Sequence, residues 1–212
     1  MFQEDIQKRL ELLDSGAIDV SEKQMHLTEK TDAGYADLQL ELYSPCILFR
    51  NLEKKKLQYF KNQKCSDYVM FEYTKEQWFL HIFELKRSIG KNEWIQVKKQ
   101  FMGALQNALA LAGVLNIKIK LEHVYVYTVF RNDKFKNMAN TAKERLKMYE
   151  RDKKDCEDHD DWNGKTIMID FLGENKFTHQ KVKLDIESGK GYFPIRTLFH
   201  FDEKLKEQSL LL

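Results

Sequence analysis

The chain has 212 residues, of which 42% are hydrophobic and 32% are charged. This balance is typical of a soluble globular protein with one substantial core. The formal net charge is only +2, which excludes the strong overall positive charge of histone-like proteins. Any contact with nucleic acid must therefore come from local positive patches.

Three widely spaced cysteines, Cys46, Cys65 and Cys156, form no C-x-x-C motif. This spacing argues against a disulfide framework or a zinc site and suits a reducing cytosol. Residues 1–15 are charged throughout without a signal-peptide pattern, and no apolar run is long enough to span a membrane. We expect a cytoplasmic protein without a membrane partner.

The N-terminal part of the chain mixes regular patterns with polar stretches. Apolar residues at helical spacing predict a helix over residues 2–13, and the polar residues 17–34 predict an irregular segment. Alternation of leucines with polar residues predicts a half-buried strand over residues 37–43. Asn51 can then cap a helix over residues 52–61.

A β-hairpin is the strongest pattern in the chain. Residues 66–73 and 77–86 are rich in aromatic and β-branched side chains, as strands are. A turn about Lys75-Glu76 places Val69 opposite Ile82, so that apolar residues pair on one face. Lys-Glu is a poor pair for a two-residue turn, and a four-residue loop centred there would keep the same register.

Three charged residues interrupt this apolar hairpin: Asp67, Glu84 and Lys86. The second strand is otherwise apolar on both faces, which predicts a covered central strand and places these charges beside the core. The hairpin register puts Asp67 across from Glu84, where two carboxylates repel each other unless a divalent cation binds between them. The alternative is a hairpin whose three charges are exposed to solvent at the strand end.

At these residues the sequence resembles the PD-(D/E)xK nuclease superfamily. Ser66-Asp67 stands in place of Pro-Asp, Glu84-Leu85-Lys86 supplies the E-x-K, and Gln100-Phe101 corresponds to the Gln-Leu pair of many members. The likeness covers about residues 48–130. It implies an α/β fold with a restriction-endonuclease-like core, in which helices flank a mixed β-sheet.

The resemblance also implies an activity, the metal-dependent hydrolysis of phosphodiester bonds. Asp67, Glu84 and the backbone carbonyl of Leu85 would hold Mg²⁺ or Mn²⁺. Lys86 would orient or activate the attacking water and stabilise negative charge in the transition state. The chain contains no G-x-S-x-G, H-E-x-x-H or phosphate-binding glycine motif that would indicate a different chemistry.

After the hairpin, residues 93–112 predict a helix with an apolar stripe towards the core. Gly103 within it suits a close approach to the sheet. The resemblance implies that Gln100 points towards the metal site, and the alternative is a plain exposed glutamine. It further implies an additional acidic residue before the hairpin, for which Glu41 and Glu53 are the candidates unless they are solvated surface residues.

The C-terminal part of the chain continues with a strand and then a predicted helix over residues 133–148 that is rich in lysine and arginine. An acidic run over residues 155–161 predicts an exposed, flexible loop, and two further strands follow it. We expect a single domain over residues 1–212, with the nuclease core at about residues 38–130 and a C-terminal extension over residues 131–212.

One face of the basic helix would lie along a phosphate backbone, unless it is a solvated face balanced by Glu144 and Glu150. The candidate residues for nucleic-acid binding are Arg87, Lys98, Lys99, Lys143 and Lys147. We expect DNA rather than RNA as the substrate, in restriction, antiviral defence or repair, and a homodimer or a subunit of a larger complex. The alternative function is a non-catalytic nucleic-acid-binding or interaction subunit that keeps the nuclease fold.

Overall fold

The computed structural model of the chain describes Phe2 and residues 4–31, 34–135, 146–147, 150 and 153–195. The α-helices described below are α1 (Glu4–Leu10), α2 (Leu52–Lys55), α3 (Lys91–Leu115) and α4 (Lys153–Asn163). The strands are β1 (Ile18–Ser21), β2 (Gln24–Thr31), β3 (Gly34–Glu41), β4 (Cys46–Arg50), β5 (Tyr68–Thr74), β6 (Gln77–Ile89), β7 (Ile119–Asp133), β8 (Thr166–Asp170), β9 (Glu174–Lys183) and β10 (Lys190–Pro194).

The strands form two sheets. The larger has seven strands in the order β1-β4-β5-β6-β7-β9-β8, and the smaller has three in the order β10-β3-β2. In the larger sheet β7 runs parallel to both β6 and β9, whereas the other neighbours are antiparallel. The fold is therefore mixed α/β, with a large mixed sheet flanked by helices. Strands β8 and β9, which belong to the predicted C-terminal extension, complete this same sheet.

Strand β6 lies at the centre of the larger sheet and is covered on both faces. Leu80 and Ile82 share a buried cluster with Phe101 of α3. Phe83 on the opposite face shares a second cluster with Leu38 of the smaller sheet. The continuous apolar composition of β6 is what such double coverage requires, so Glu84 lies in a strand with core on either side.

The hairpin formed by β5 and β6 has the predicted register. Val69 pairs with Ile82, and the pairing extends along both strands to the turn. That turn contains only Lys75 and Glu76, whose φ angles are 48° and 61°. The wider loop is not needed, because packing along both strands fixes the register and the two turn residues accept the left-handed conformation that such a tight turn requires.

The prediction of an irregular segment over residues 17–34 is wrong. Strands β1 and β2 occupy most of it, and β2 pairs with β3 along its whole length. Among residues 24–30 of β2, only Met25 and Leu27 are buried, and so short an apolar alternation did not stand out from the polar residues around it. The smaller sheet that covers the second face of β6 was missed for this reason.

The predicted helix over residues 52–61 is only one turn long. Helix α2 ends at Lys55, and Lys56 already has an extended backbone with ψ of 154°. Asn51 adopts the left-handed conformation and makes no capping hydrogen bond through its side chain. The chain leaves the helix because the N–H of Leu57 donates to Oδ1 of the buried Asn107 over 2.7 Å instead of continuing the helical pattern.

The prediction of an exposed, flexible loop over residues 155–161 is also wrong, because this run lies within helix α4. Asp158 is buried there, and Asp161 accepts a hydrogen bond from Lys98. Most of the predicted basic helix over residues 133–148 lies outside the described residues. Among the described helices, none is both long and apolar enough to cross a lipid bilayer.

Candidate functional site

Asp67 lies just before strand β5, at the point where β6 continues beyond β5 and stays paired only with β7. The ladder starts with Tyr68 opposite Phe83, so β6 from Glu84 onward extends past the end of its partner. The N–H of Leu85 on this open edge donates to Oδ2 of Asp67 over 2.8 Å. The carboxylate takes the place of the missing strand and is thereby held beside Glu84.

The side chains of Glu84 and Lys86 project from the face of β6 that packs against α3. Glu84 is fully buried, and the ammonium of Lys86 donates to its Oε1. Its other oxygen, Oε2, has no hydrogen-bond partner among the described residues. A buried oxygen without a partner is costly to folding, and it leaves an acceptor free for a ligand.

The two carboxyl groups titrate one after the other. Burial raises the pKa of Asp67 to about 6, against the lowering effect of the Leu85 N–H, and the charges of Glu29 and Glu53 add to the increase. Burial raises the pKa of Glu84 to about 8, and the charge of Asp67 is the second cause. Near neutral pH the pair therefore holds one proton. A cation that displaced it would balance the charge of both carboxylates and would give the unpartnered oxygen a partner.

A third acidic residue, Glu29 of β2, faces the same site. Tyr68 fixes its position, because the N–H of Thr28 donates to the Tyr68 hydroxyl over 3.0 Å and that hydroxyl donates back to the Thr28 carbonyl. Glu29 and Asp67 consequently line one cavity of about 250 Å³. Burial also raises the pKa of Glu29 above its ordinary value.

Sequence reasoning missed Glu29, because it treated the segment before Gly34 as irregular. Gly34 between two stretches with alternating apolar residues was the signal that could have predicted a hairpin there. Of the two acids proposed instead, Glu53 lines the cavity with Asp67. Glu41 pairs with Gln24 near the other end of the β2–β3 ladder. It lies five residues along β3 from Ala36, the partner of Glu29, which is roughly 16 Å.

A second cavity of about 790 Å³ adjoins the first at Glu53, which lines both. Lys86 and Gln100 face this second cavity, so the structure brings the predicted lysine and glutamine together. The Nε2 of Gln100 donates to the carbonyl of Cys65 over 3.4 Å. Gln100 therefore supports the chain that leads into Asp67.

Gly103 allows a close approach, but to a loop rather than to the sheet as predicted. A Cβ atom on Gly103 would lie 1.7 Å from the carbonyl oxygen of Lys64. The backbone before Asp67 can therefore rest on α3 only because this helical position has no side chain.

The candidate nucleic-acid-binding residues lie in different places. Lys99 is exposed and lines the second cavity, whereas Arg87 is exposed on the face of β6 opposite to Lys86. Lys98 donates to Asp158 over 3.1 Å and to Asp161 over 2.8 Å, and these ion pairs do not support its assignment to nucleic acid. The last two candidates are an exposed helical residue and a residue outside the described ranges, Lys147 and Lys143.

The candidate site offers few protein ligands to a metal ion. Across the described residues, no group of three or more His, Cys, Asp or Glu side chains has an arrangement that could hold a metal ion. Asp67 and Glu84 form a pair, and the Leu85 carbonyl faces the same strand edge as the N–H that Asp67 accepts. Such an oxygen set suits Mg²⁺, which usually keeps several waters and takes only one or two carboxylates from a protein.

Comparison of the chain with protein-family models, with curated proteins and with solved structures gave no match.

Proposed function

We propose that the protein is a Mg²⁺- or Mn²⁺-dependent nuclease with a restriction-endonuclease-like core, which hydrolyses phosphodiester bonds and favours DNA over RNA. The observation that carries this proposal is the buried carboxylate of Glu84, with one oxygen held by Lys86 and the other without a partner among the described residues. Asp67 lies beside it on an open strand edge. Stability alone gives no reason to bury this set of charges.

Asp67, Glu84 and the carbonyl of Leu85 would hold the metal ion. When bound, the ion supplies Lewis-acid activation of the phosphoryl group and lowers the pKa of a bound water. Asp67 also accepts the Leu85 N–H, and this hydrogen bond keeps its carboxylate next to Glu84. The high pKa of Glu84, which burial and Asp67 raise to about 8, means that binding a cation at neutral pH releases a proton.

Lys86 stabilises negative charge on the reacting phosphate. Burial lowers the pKa of Lys86, but the negative charges of Glu84, Asp67 and Glu29 raise it by more than burial lowers it. The pKa of Lys86 is therefore above its ordinary value. Lys86 therefore stays protonated, which favours electrostatic stabilisation over proton abstraction. In the hydrolysis, a water oxygen bonds to phosphorus and loses a proton to solvent. The bond from phosphorus to the leaving sugar oxygen breaks, and that oxygen takes up a proton from solvent.

A second candidate function is a non-catalytic nucleic-acid-binding or interaction subunit with the same fold. One observation favours it: no described group of three or more acidic, His or Cys side chains is arranged for a metal. Such a subunit would bind nucleic acid without cutting it. A role in restriction or antiviral defence, a cytoplasmic location and assembly as a homodimer or larger complex stay predictions.

The test compares wild type, Lys86→Ala and Lys120→Ala on plasmid DNA, single-stranded DNA and RNA, with Mg²⁺, with Mn²⁺ and with EDTA. Lys120 is an exposed lysine on β7 and serves as the matched control. We expect wild type and Lys120→Ala to cut only with metal, and Lys86→Ala to cut about 10²–10³-fold more slowly while a melting curve shows that it is still folded at the assay temperature. Wild-type rates in a well-folded Lys86→Ala protein would contradict the mechanism. Binding without cleavage under every condition would support the second candidate.

A further inference from the structure

The lysine-rich segment (residues 52–64) concentrates positive charge next to the candidate site. It contains five lysines and one glutamate, whereas the whole chain has a net charge of only +2. Lys61 and Lys64 line the second cavity together with Lys86 and Lys99, so that its four lysines outnumber its two glutamates. The lysine-rich segment therefore adds positive charge to the cavity that contains Lys86. Such charge can neutralise the phosphates of a nucleic-acid backbone.

Helix α3 fixes this segment at two points. The N–H of Leu57 donates to Oδ1 of Asn107 over 2.7 Å, and Asn107 is itself buried. Further along, Nδ2 of Asn62 donates to the carbonyl of Lys99 over 2.9 Å. The intervening residues 58–61 are thus held between two anchors, which reduces the conformational entropy that a ligand must remove on binding.

Between these anchors the segment presents an aromatic ring to solvent. Tyr59 is 96% exposed, the largest exposed fraction among the aromatic side chains that the structure describes. Core packing therefore gives no reason for an aromatic residue here. Exposed aromatic rings flanked by lysines are the composition of surfaces that bind single strands, where bases stack on the rings and cations follow the backbone.

We propose that the lysine-rich segment binds single-stranded nucleic acid, with an unpaired base stacked on Tyr59 and the adjacent phosphates contacted by Lys61 and Lys64. This inference rests on the proposed nuclease function and names its substrate class, a strand with unpaired bases. In a duplex the faces of the bases are covered by their stacked neighbours, so a duplex offers Tyr59 a base only at its ends. Stacking tolerates any base, and recognition by this surface is therefore independent of sequence.

The test measures binding by fluorescence anisotropy in EDTA, where metal-dependent cleavage does not occur. The ligands are oligothymidylate, oligouridylate, an abasic strand of equal length and a blunt duplex. We expect Tyr59→Ala to bind both single strands roughly 5- to 150-fold more weakly than wild type does, and to bind the abasic strand equally well, because that strand keeps the phosphates and lacks the bases. Tyr59→Trp should restore binding.

Two controls separate stacking from charge. Tyr192→Ala removes an exposed tyrosine on β10, outside the lysine-rich segment, and should leave binding unchanged. Lys61→Ala and Lys64→Ala should each reduce the slope of log affinity against log salt concentration by about 0.7 for a single strand.

The outcomes distinguish this inference from the proposed function. Loss of single-strand binding in Tyr59→Ala supports the inference, even if wild type never cuts nucleic acid. A wild type that cuts with metal but prefers the duplex, or that binds single strands equally well with and without Tyr59, overturns the inference and leaves the nuclease proposal standing. If Tyr59→Ala also binds the abasic strand more weakly than wild type does, base stacking on Tyr59 is not the cause of the weaker binding.

Discussion

The buried carboxyl of Glu84 should make the folded protein less stable as the pH rises, and glutamine at this position should remove the effect. Burial, followed by the charge of Asp67, raises the pKa of Glu84 from an ordinary value of 4.5 to about 8. Because the folded-state pKa is the higher of the two, the folded protein keeps this proton at pH values where the unfolded chain has lost it. The resulting stabilisation is complete below pH 4.5 and is lost as the pH rises through 8.

The magnitude follows from the width of this pH window. One pKa unit corresponds to about 1.36 kcal/mol, so between pH 5 and pH 8 this group lowers the free energy of unfolding by about 4 kcal/mol. Glu84→Gln cannot ionise. The stability of the variant relative to wild type should therefore rise by about that amount across the same window, with the gain appearing only at the higher pH values.

The assay is urea denaturation of both proteins at pH 5, 6.5 and 8, with Glu122→Gln as the control. Glu122 is an exposed carboxylate on β7, and its replacement should give curves parallel to wild type. A difference between Glu84→Gln and wild type that is the same at all three pH values would refute this account of the buried carboxyl. Under the proposed function, Mg²⁺ at pH 8 should raise the stability of wild type and not that of Glu84→Gln, because a ligand stabilises only the state that binds it.

Two further predictions concern packing and a buried histidine. Gly103→Ala should destabilise the protein by about 1–3 kcal/mol, because the new Cβ would lie 1.7 Å from the carbonyl oxygen of Lys64. Gly113→Ala in the same helix has no atom within 4 Å of its Cβ and should stabilise by about 0.5–1 kcal/mol, and similar melting temperatures for the two variants would contradict the steric argument. Burial, and then Lys181, lowers the pKa of His179 to about 3, so the unfolded chain takes up a proton below pH 6.5 that the folded state resists. The free energy of unfolding should therefore fall as the pH is lowered. Between pH 6.5 and pH 5, urea denaturation should show that His179→Phe loses about 2 kcal/mol less of this free energy than wild type does. Equal losses in the two proteins would rule out His179 as the cause.

The hairpin and its charged residues were predictable because local chemistry determines them. Matching apolar pairs such as Val69 and Ile82 set the register, and the alternation of side chains then placed Glu84 and Lys86 on one face. Even the unfavourable Lys-Glu turn did not disturb this result, because many paired residues outweigh two strained ones. The α/β class and the mixed sheet followed from the strand, helix and strand that begin at β6.

Glu29 was not predictable in the same way, because a contact between distant parts of the chain places it. Among residues 24–30 of its own strand only two are buried, and the hydroxyl of Tyr68 fixes the strand position through the backbone of Thr28. The short helix α2 has a similar origin, since Asn107 in a helix fifty residues away captures the N–H of Leu57. In each case one side chain from another element overrides a local pattern that was weak or that indicated a different structure.

The proposed reaction and the proposed strand binding depend on the same separation of charge. Three carboxylates line the first cavity beside two lysines, and four lysines line the second beside two glutamates. The charged residues of the first are Glu29, Glu53, Asp67, Lys30 and Lys54, and those of the second are Lys61, Lys64, Lys86, Lys99, Glu53 and Glu93. Glu53 lines both, so a cation held by the acids would lie next to a phosphate held by the lysines. The small net charge of the chain therefore conceals a local bias, acidic in the first cavity and basic in the second. Such a bias favours a ligand that carries phosphate and meets a divalent cation at one point along its length.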